Sequence, residues 1–163
     1  MCGIAGILDQ TKPPSLNKEL LEKMLHIQHH RGPDATGVWS DDVIFLGHNR
    51  LSIIDLSEAA NQPMHYKNFT LTFNGEIYNY VELKKELEAK GHQFINHSDS
   101  EVILHAFEEW GKECVQRFVG MWAFVIWDQT KKALFASRDR FGIKPFNYIH
   151  QSGKLYFASE IKR

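Results

Sequence analysis

Cysteine is scarce in this sequence: Cys2 and Cys114 are the only two, so no disulfide framework is expected and both thiols should stay reduced. No apolar run is long enough to cross a bilayer, and the start of the chain lacks the charged and apolar regions of an export signal. A cytoplasmic protein with no membrane partner is therefore the expectation. An excess of charge of one sign is also missing. Lys and Arg number 19 against 20 Asp and Glu, a formal net charge of -1, which leaves no basic excess to suggest a nucleic-acid partner, and none is expected. Internal repeats and low-complexity linkers are absent. The chain has nine histidines, yet His29 and His30 are adjacent and their side chains would diverge on a helix, and no Cys-x-x-Cys pair exists, so no metal is expected.

The chain does have the makings of an ordinary globular domain. Hydrophobic residues make up 43% of its 163 positions and charged residues 24%, enough for one domain with a sizeable core. A first short strand starts at Cys2, and a turn at Pro13-Pro14-Ser15 precedes Leu16, Leu20, Leu21, Met24, Leu25 and Gln28 at helical spacing. Residues 36–40 and 43–50 flank Asp41-Asp42 as a predicted hairpin. Residues 69–73 read as a strand that runs into Asn74-Gly75, a turn pair. Residues 81–90, 100–110 and 112–118 are predicted helices, with Ser98 or Asp99 available to cap the second. Strands are expected at 121–128, 133–137, 146–150 and 155–158. Strands at both ends with helices grouped between argue against an alternating parallel fold. The 122–127 run is apolar on both faces, as an inner strand covered on each side requires. An α+β sandwich, with sheets inside and helices outside, is the predicted class.

Cys2 combines two chemical functions once the single residue before it is removed. The thiolate is the nucleophilic form of cysteine, and a free α-amine on the same residue can take the thiol proton. Glycines at 3 and 6 bracket a short apolar run, so Cys2 would begin a packed strand and not a frayed tail. The competing reading is a small buried residue.

Further stretches place charges beside glycines or strand ends, where binding loops form. They are Arg31-Gly32-Pro33-Asp34, Gly47-His48-Asn49-Arg50-Leu51-Ser52-Ile53, Asn74-Gly75-Glu76-Ile77-Tyr78-Asn79, Ser98-Asp99-Ser100-Glu101 and Arg138-Asp139-Arg140-Phe141-Gly142-Ile143-Lys144-Pro145, with the uncharged Asn61-Gln62-Pro63-Met64 between the second and third. Together with Cys2-Gly3-Ile4-Ala5-Gly6, this set resembles, in order and almost end to end, the glutaminase domain of the class II glutamine amidotransferases, and within them the asparagine-synthetase branch. The resemblance implies an N-terminal nucleophile hydrolase fold over residues 1–163, a four-layer αββα sandwich with two antiparallel sheets in the middle.

It also implies roles. Cys2 would attack the side-chain amide of L-glutamine, with its own α-amine as base, leaving a thioester that water hydrolyses to glutamate. Reference values of about 8.5 for a cysteine thiol and about 7.7–8.0 for an α-amine mean that the two titrate as a coupled pair. Asn74 and Gly75 match the oxyanion hole of the family. Arg50 would hold the substrate carboxylate, and Glu76 and Asp99 its ammonium. Leu51, Ser52, Ile53 and Ile54 correspond to the wall beside the substrate, while Arg31 and Asp34 would orient the amino terminus and loops. No cofactor is implied for this domain; ATP and Mg belong to a synthetase domain that is not in the sequence.

That second domain, joined in cis, is the implied partner, and a homodimer remains open. The sequence ends where such relatives continue, so a donor half is expected, with a partly apolar partner surface near residues 141–148. Three alternatives stay in play: the same domain serving another acceptor, a glutamine-binding module that is silent while Met1 is retained, and a penicillin-amidase-like hydrolase. The pairing of Arg50 with Asp99 argues against the last.

Overall fold

The computed structural model describes residues 1–11, 15–53 and 55–161. The expected turn at Pro13-Pro14 and the wall residue Ile54 lie outside them. Nine strands among the described residues form two antiparallel sheets. One contains β1 (Gly3–Asp9), β2 (Ala35–Ser40), β3 (Ile44–Arg50), β8 (Asn147–Gln151) and β9 (Lys154–Ala158), in the order β2-β3-β1-β9-β8. The other contains β4 (Met64–Tyr66), β5 (Phe69–Ile77), β6 (Gly120–Asp128) and β7 (Ala133–Arg138), in chain order.

Helix α1 (Ser15–Ile27) lays Leu21 and Leu25 on Ala5, Ile7 and Phe45 of the first sheet. Helices α2 (Tyr80–Ala89) and α3 (Asp99–Trp110) cover the second, where Leu83, Leu87, Val102 and Ile103 meet Leu71, Phe73, Phe124 and Ile126. Between the sheets, Ile44, Leu46 and Phe157 pack on Val125 and Trp127. The layers are helix, sheet, sheet, helices: the α+β, four-layer αββα sandwich that the sequence implied. Burial on both sides accounts for the unbroken apolar stretch of β6. Phe157 sits at the junction of the sheets and is fully enclosed, so truncating it to alanine should cost about 3–5 kcal/mol.

Two polar links also tie the sheets together. Thr72 Oγ1 donates to Gly47 O at 3.1 Å, and His48 Nε2 lies 3.0 Å from Phe73 O. A carbonyl only accepts, so Nε2 carries the proton of His48. Burial holds this imidazole down to about 4, and it stays neutral.

The hairpin of β2 and β3 and the two longer helices follow the sequence reading within a residue or two, and Ser98 Oγ caps α3 by accepting from Glu101 N. Residues 112–118 differ: a 3₁₀ turn at Gly111–Gln116 replaces the expected helix. Asn74-Gly75 is not a turn either. β5 continues through both to Ile77, pairing Asn74 with Ala123 and Gly75 with Trp122. A Cβ on Gly75 would lie 2.3 Å from Met121 O, so the absent side chain serves close strand packing and not chain reversal. No helix among the described residues is long and apolar enough to cross a membrane.

Candidate active site

The start of β1, the end of β3, the far half of β5 and the N-terminus of α3 converge on one cleft of about 250 Å³. Cys2, Arg50, Leu51, Ile53, Asn74, Gly75, Glu76 and Asp99 all line it. The structure therefore gathers most of the residues singled out in the sequence, although they are scattered over about a hundred positions.

Cys2 is held by a reciprocal contact with one residue. Its Sγ donates to Leu51 O at 3.7 Å and accepts from Leu51 N at 3.4 Å. Burial raises the thiol above its ordinary value, against the opposing pull of the Leu51 N–H, so the sulfur is protonated at neutral pH and needs a base to attack. On the other side of the backbone, Arg31 Nε donates to Cys2 O at 2.9 Å, and its Nη1 is paired with Glu160 at 2.9 Å. Arg31 does not line the cleft but fixes the peptide that carries the Cys2 thiol.

β5 supplies the donors. Its partner β4 reaches only as far as Leu71, so the edge of residues 73–77 is open beyond it. Phe73 N on that edge donates to Gln62 Oε1 at 2.6 Å, and Ile77 N donates to Asp99 Oδ2 at 2.9 Å. The period of two along a strand turns Gly75 N–H to the same edge, between these two and into the cleft. Asn74 Nδ2 is buried and has no hydrogen-bond partner among the described residues. A buried amide donor without a partner is uncommon and calls for an explanation. Here it faces a cleft beside a thiol.

The opposite end of the cleft is charged. Arg50 Nη1 donates to Ser57 O at 2.8 Å and to Asn61 Oδ1 at 2.7 Å, and Nη2 donates to Asp55 O. These contacts fix the guanidinium, and among the described residues Nε and the second hydrogen of Nη2 have no partner. Asp99 is buried, and desolvation, with the nearby Glu76 charge adding, pushes its carboxyl up to about 6. A cation between Asp99 and Glu76 would relieve that penalty. Asp34 and Ser52 lie behind the wall: Asp34 Oδ2 accepts from Ser52 N at 2.8 Å and braces the turn after Arg50.

The motifs also contained cleft residues to which the sequence reading gave no role. Gln62 bridges Phe73 N and Ser100 Oγ, His48 joins the sheets beneath the cleft, and Lys144 is buried at its rim with Nζ 3.4 Å from Met1 Sδ. All three stand inside the stretches that carried the resemblance. What sequence alone could not supply was the side chain each one faces.

The whole chain, residues 1–163, matches the family model described as a glutamine amidotransferase domain. Asparagine synthetase [glutamine-hydrolyzing] 3 of Bacillus subtilis is 43% identical over 99% of this chain and 27% of its own length. A putative asparagine synthetase [glutamine-hydrolyzing] 2 of Methanocaldococcus jannaschii is 40% identical over 99% of this chain and 34% of its own. The chain thus spans about a third or less of the length of these curated relatives. Among solved structures, the glutamine phosphoribosylpyrophosphate amidotransferase of B. subtilis superposes with a TM-score of 0.80 over 97% of this chain and 42% of its own, at 23% identity, a likeness of fold.

Proposed function

Since the chain belongs to the glutamine amidotransferase domain family, we propose that this cleft hydrolyses the side-chain amide of L-glutamine to glutamate and ammonia through a Cys2 thioester. The observation that carries the reading is the unpartnered Asn74 Nδ2 in the same cleft as the Cys2 thiol. A neutral, preorganised donor suits an oxyanion that exists only in the transition state and intermediate.

Arg50 takes the α-carboxylate through Nε and Nη2, a planar two-point contact. Asp99 and Glu76 face the α-ammonium. Gripping the amino-acid head group in this way leaves the side-chain amide to reach Sγ. The α-amine of Cys2, freed by loss of Met1, accepts the thiol proton as sulfur bonds to the amide carbon. The carbonyl oxygen becomes an oxyanion held by Asn74 Nδ2 and Gly75 N–H. On collapse, the carbon–nitrogen bond breaks and the departing nitrogen takes the proton, leaving as ammonia. Water then attacks the thioester carbon, gives its proton through the same amine to the sulfur, and glutamate leaves. With Met1 attached, the Cys2 nitrogen is an amide and has no basicity.

In a longer protein this domain donates ammonia to a synthetase domain in cis, with asparagine as the product and ATP and Mg used there. Two B. subtilis asparagine synthetases and the M. jannaschii relative support this assignment. The exposed Phe141, Ile143 and Tyr148 give such a domain an apolar surface to pack on. A cytoplasmic address suits the chemistry.

A glutamate-release assay on the Met1-free chain, beside Cys2→Ala, tests the proposal. Hydrolysis lost in Cys2→Ala is the expected result. Wild-type rates in that variant would overturn the mechanism.

A further inference from the structure

On the helical layer outside the second sheet, His92 comes from the segment after α2 while His105 and Glu108 come from α3. One donor atom from each lies within 4.8 Å of the others. The two Nδ1 atoms are 2.9 Å apart, and His92 Nδ1 is 3.7 Å from Glu108 Oε2. Donors on a tetrahedral zinc, at bond lengths of about 2.0–2.1 Å, stand about 3.3 Å from one another. A small rotation of the Glu108 side chain would close the triangle.

A carboxylate stands on the far side of each imidazole. His92 Nε2 lies 3.3 Å from Glu109 Oε2, and His105 Nε2 lies 3.7 Å from Glu101 Oε1. The Glu109 carboxylate favours a proton on His92 Nε2, as in carboxylate–histidine–metal arrangements, whereas Glu101 stands beyond hydrogen-bond reach of a buried His105 Nε2 that has no partner among the described residues. His92 Nδ1 then turns a lone pair toward His105 Nδ1, beside a Glu108 Oε2 that is buried and has no hydrogen-bond partner among the described residues. A divalent cation between them would satisfy His92 Nδ1, His105 Nδ1 and Glu108 Oε2 together. The rings are also fixed in place: His105 is fully buried, and its ring lies 3.9 Å from that of Tyr66 and 4.1 Å from that of Phe94. Lys67 holds the other oxygen of Glu108, and Lys90 that of Glu109, so both carboxylates are oriented from outside.

From this geometry we infer that His92, His105 and Glu108 bind a divalent transition-metal ion of the zinc class, with water at the open fourth position. The ion would pin the segment after α2 to α3. His105 is six residues along α3 from Asp99, roughly 9 Å along the helix axis, so the ion lies outside the cleft and acts on stability. The sequence reading weighed only local His and Cys spacings, whereas these three residues are 13 and three positions apart and the fold brings His92 to the other two.

The test is metal titration of the full chain carrying Cys2→Ala, which removes the cleft thiol as a competing ligand, after treatment with a chelator. One Co(II) per chain with the visible bands of tetrahedral cobalt, displaced by one Zn(II) and accompanied by a rise in Tm, is the expected result. His92→Gln and Glu108→Gln should each weaken Zn(II) binding by about 10–100-fold, while His150→Gln on the exposed β8 leaves it unchanged. Circular dichroism of the two variants confirms that they fold. No cobalt uptake by the parent, or Zn(II) binding that is unaltered in both ligand variants, would overturn the inference and leave an ordinary hydrogen-bonded histidine pair.

Discussion

Cys2 and Leu51 hold each other in both directions, the thiol donating to the Leu51 carbonyl and accepting its N–H. The sulfur is thereby aimed, but it is not activated, because burial raises its pKa. His48 in the same cleft is no substitute base, since it is held down to about 4. In the proposed mechanism the base is the α-amine of Cys2 itself.

Removing the side-chain oxyanion donor should separate rate from binding. Asn74→Ala is expected to lower kcat by about 10²–10³ with a smaller change in KM, the usual result of deleting one such donor. Steady-state kinetics with glutamine checks it. A raised KM at unchanged kcat would show that Asn74 binds ground-state substrate instead.

Arg50→Lys should do the reverse. The ammonium cannot reproduce the planar grip and also loses the anchors at Asp55, Ser57 and Asn61. KM is expected to rise with kcat nearly preserved, because the contact exists in both ground and transition states. A fall in kcat at constant KM would mean that the guanidinium acts on the reacting centre.

Asp99 sets an acid limb. With its carboxyl pushed up to about 6, the group is neutral below that pH and cannot pair with the substrate ammonium. Glutamine affinity should therefore strengthen as pH rises through about 6 and level off above it, and Asp99→Asn should remove the inflection. The stability effect has the opposite sign. An acid whose folded pKa is raised binds more protons folded than unfolded, so its contribution to stability falls as pH rises from about 4 through 6. Asp99→Asn is thus expected to raise Tm at about pH 8 while weakening substrate binding. A lowered Tm there would show that the Ile77 N–H contact outweighs the desolvation of the charge.

Gly75→Ala tests the close approach of β5 to β6. The new Cβ would lie 2.3 Å from Met121 O and 2.5 Å from the Phe73 ring, so the strands must part. A stability loss of about 1–3 kcal/mol by denaturant unfolding, together with a loss of kcat as Gly75 N–H moves, is the expected result. Unchanged values of both would show that the strands give way freely.

The sheet-forming signals were legible where they were local. The hairpin of β2 and β3 showed in its β-branched runs around Asp41-Asp42, and β6 in a run too apolar for any half-exposed strand. β5 was cut short because Asn-Gly is a strong turn signal, and only the pairing with Ala123 and Trp122 reveals that a backbone without Cβ is being used for packing. β4 is three residues long and leaves no periodic trace. The pairing of β9 with β1 joins residues about 150 positions apart, which no window of local sequence contains. At the site, residue types carried the motifs, while roles such as that of Gln62, which satisfies Phe73 N and leaves the neighbouring edge to Gly75, depend on contacts across elements.

The most direct test of the α-amine as base is the rate of glutamate release from two preparations of the chain, one verified by intact mass to lack Met1 and one verified to keep it. Loss of a positioned general base typically costs about 10²–10⁴ in rate. The expected result is hydrolysis by the processed chain and a rate lower by that order in the chain that keeps Met1, with glutamine still bound by calorimetry. Equal rates from the two preparations would contradict the account.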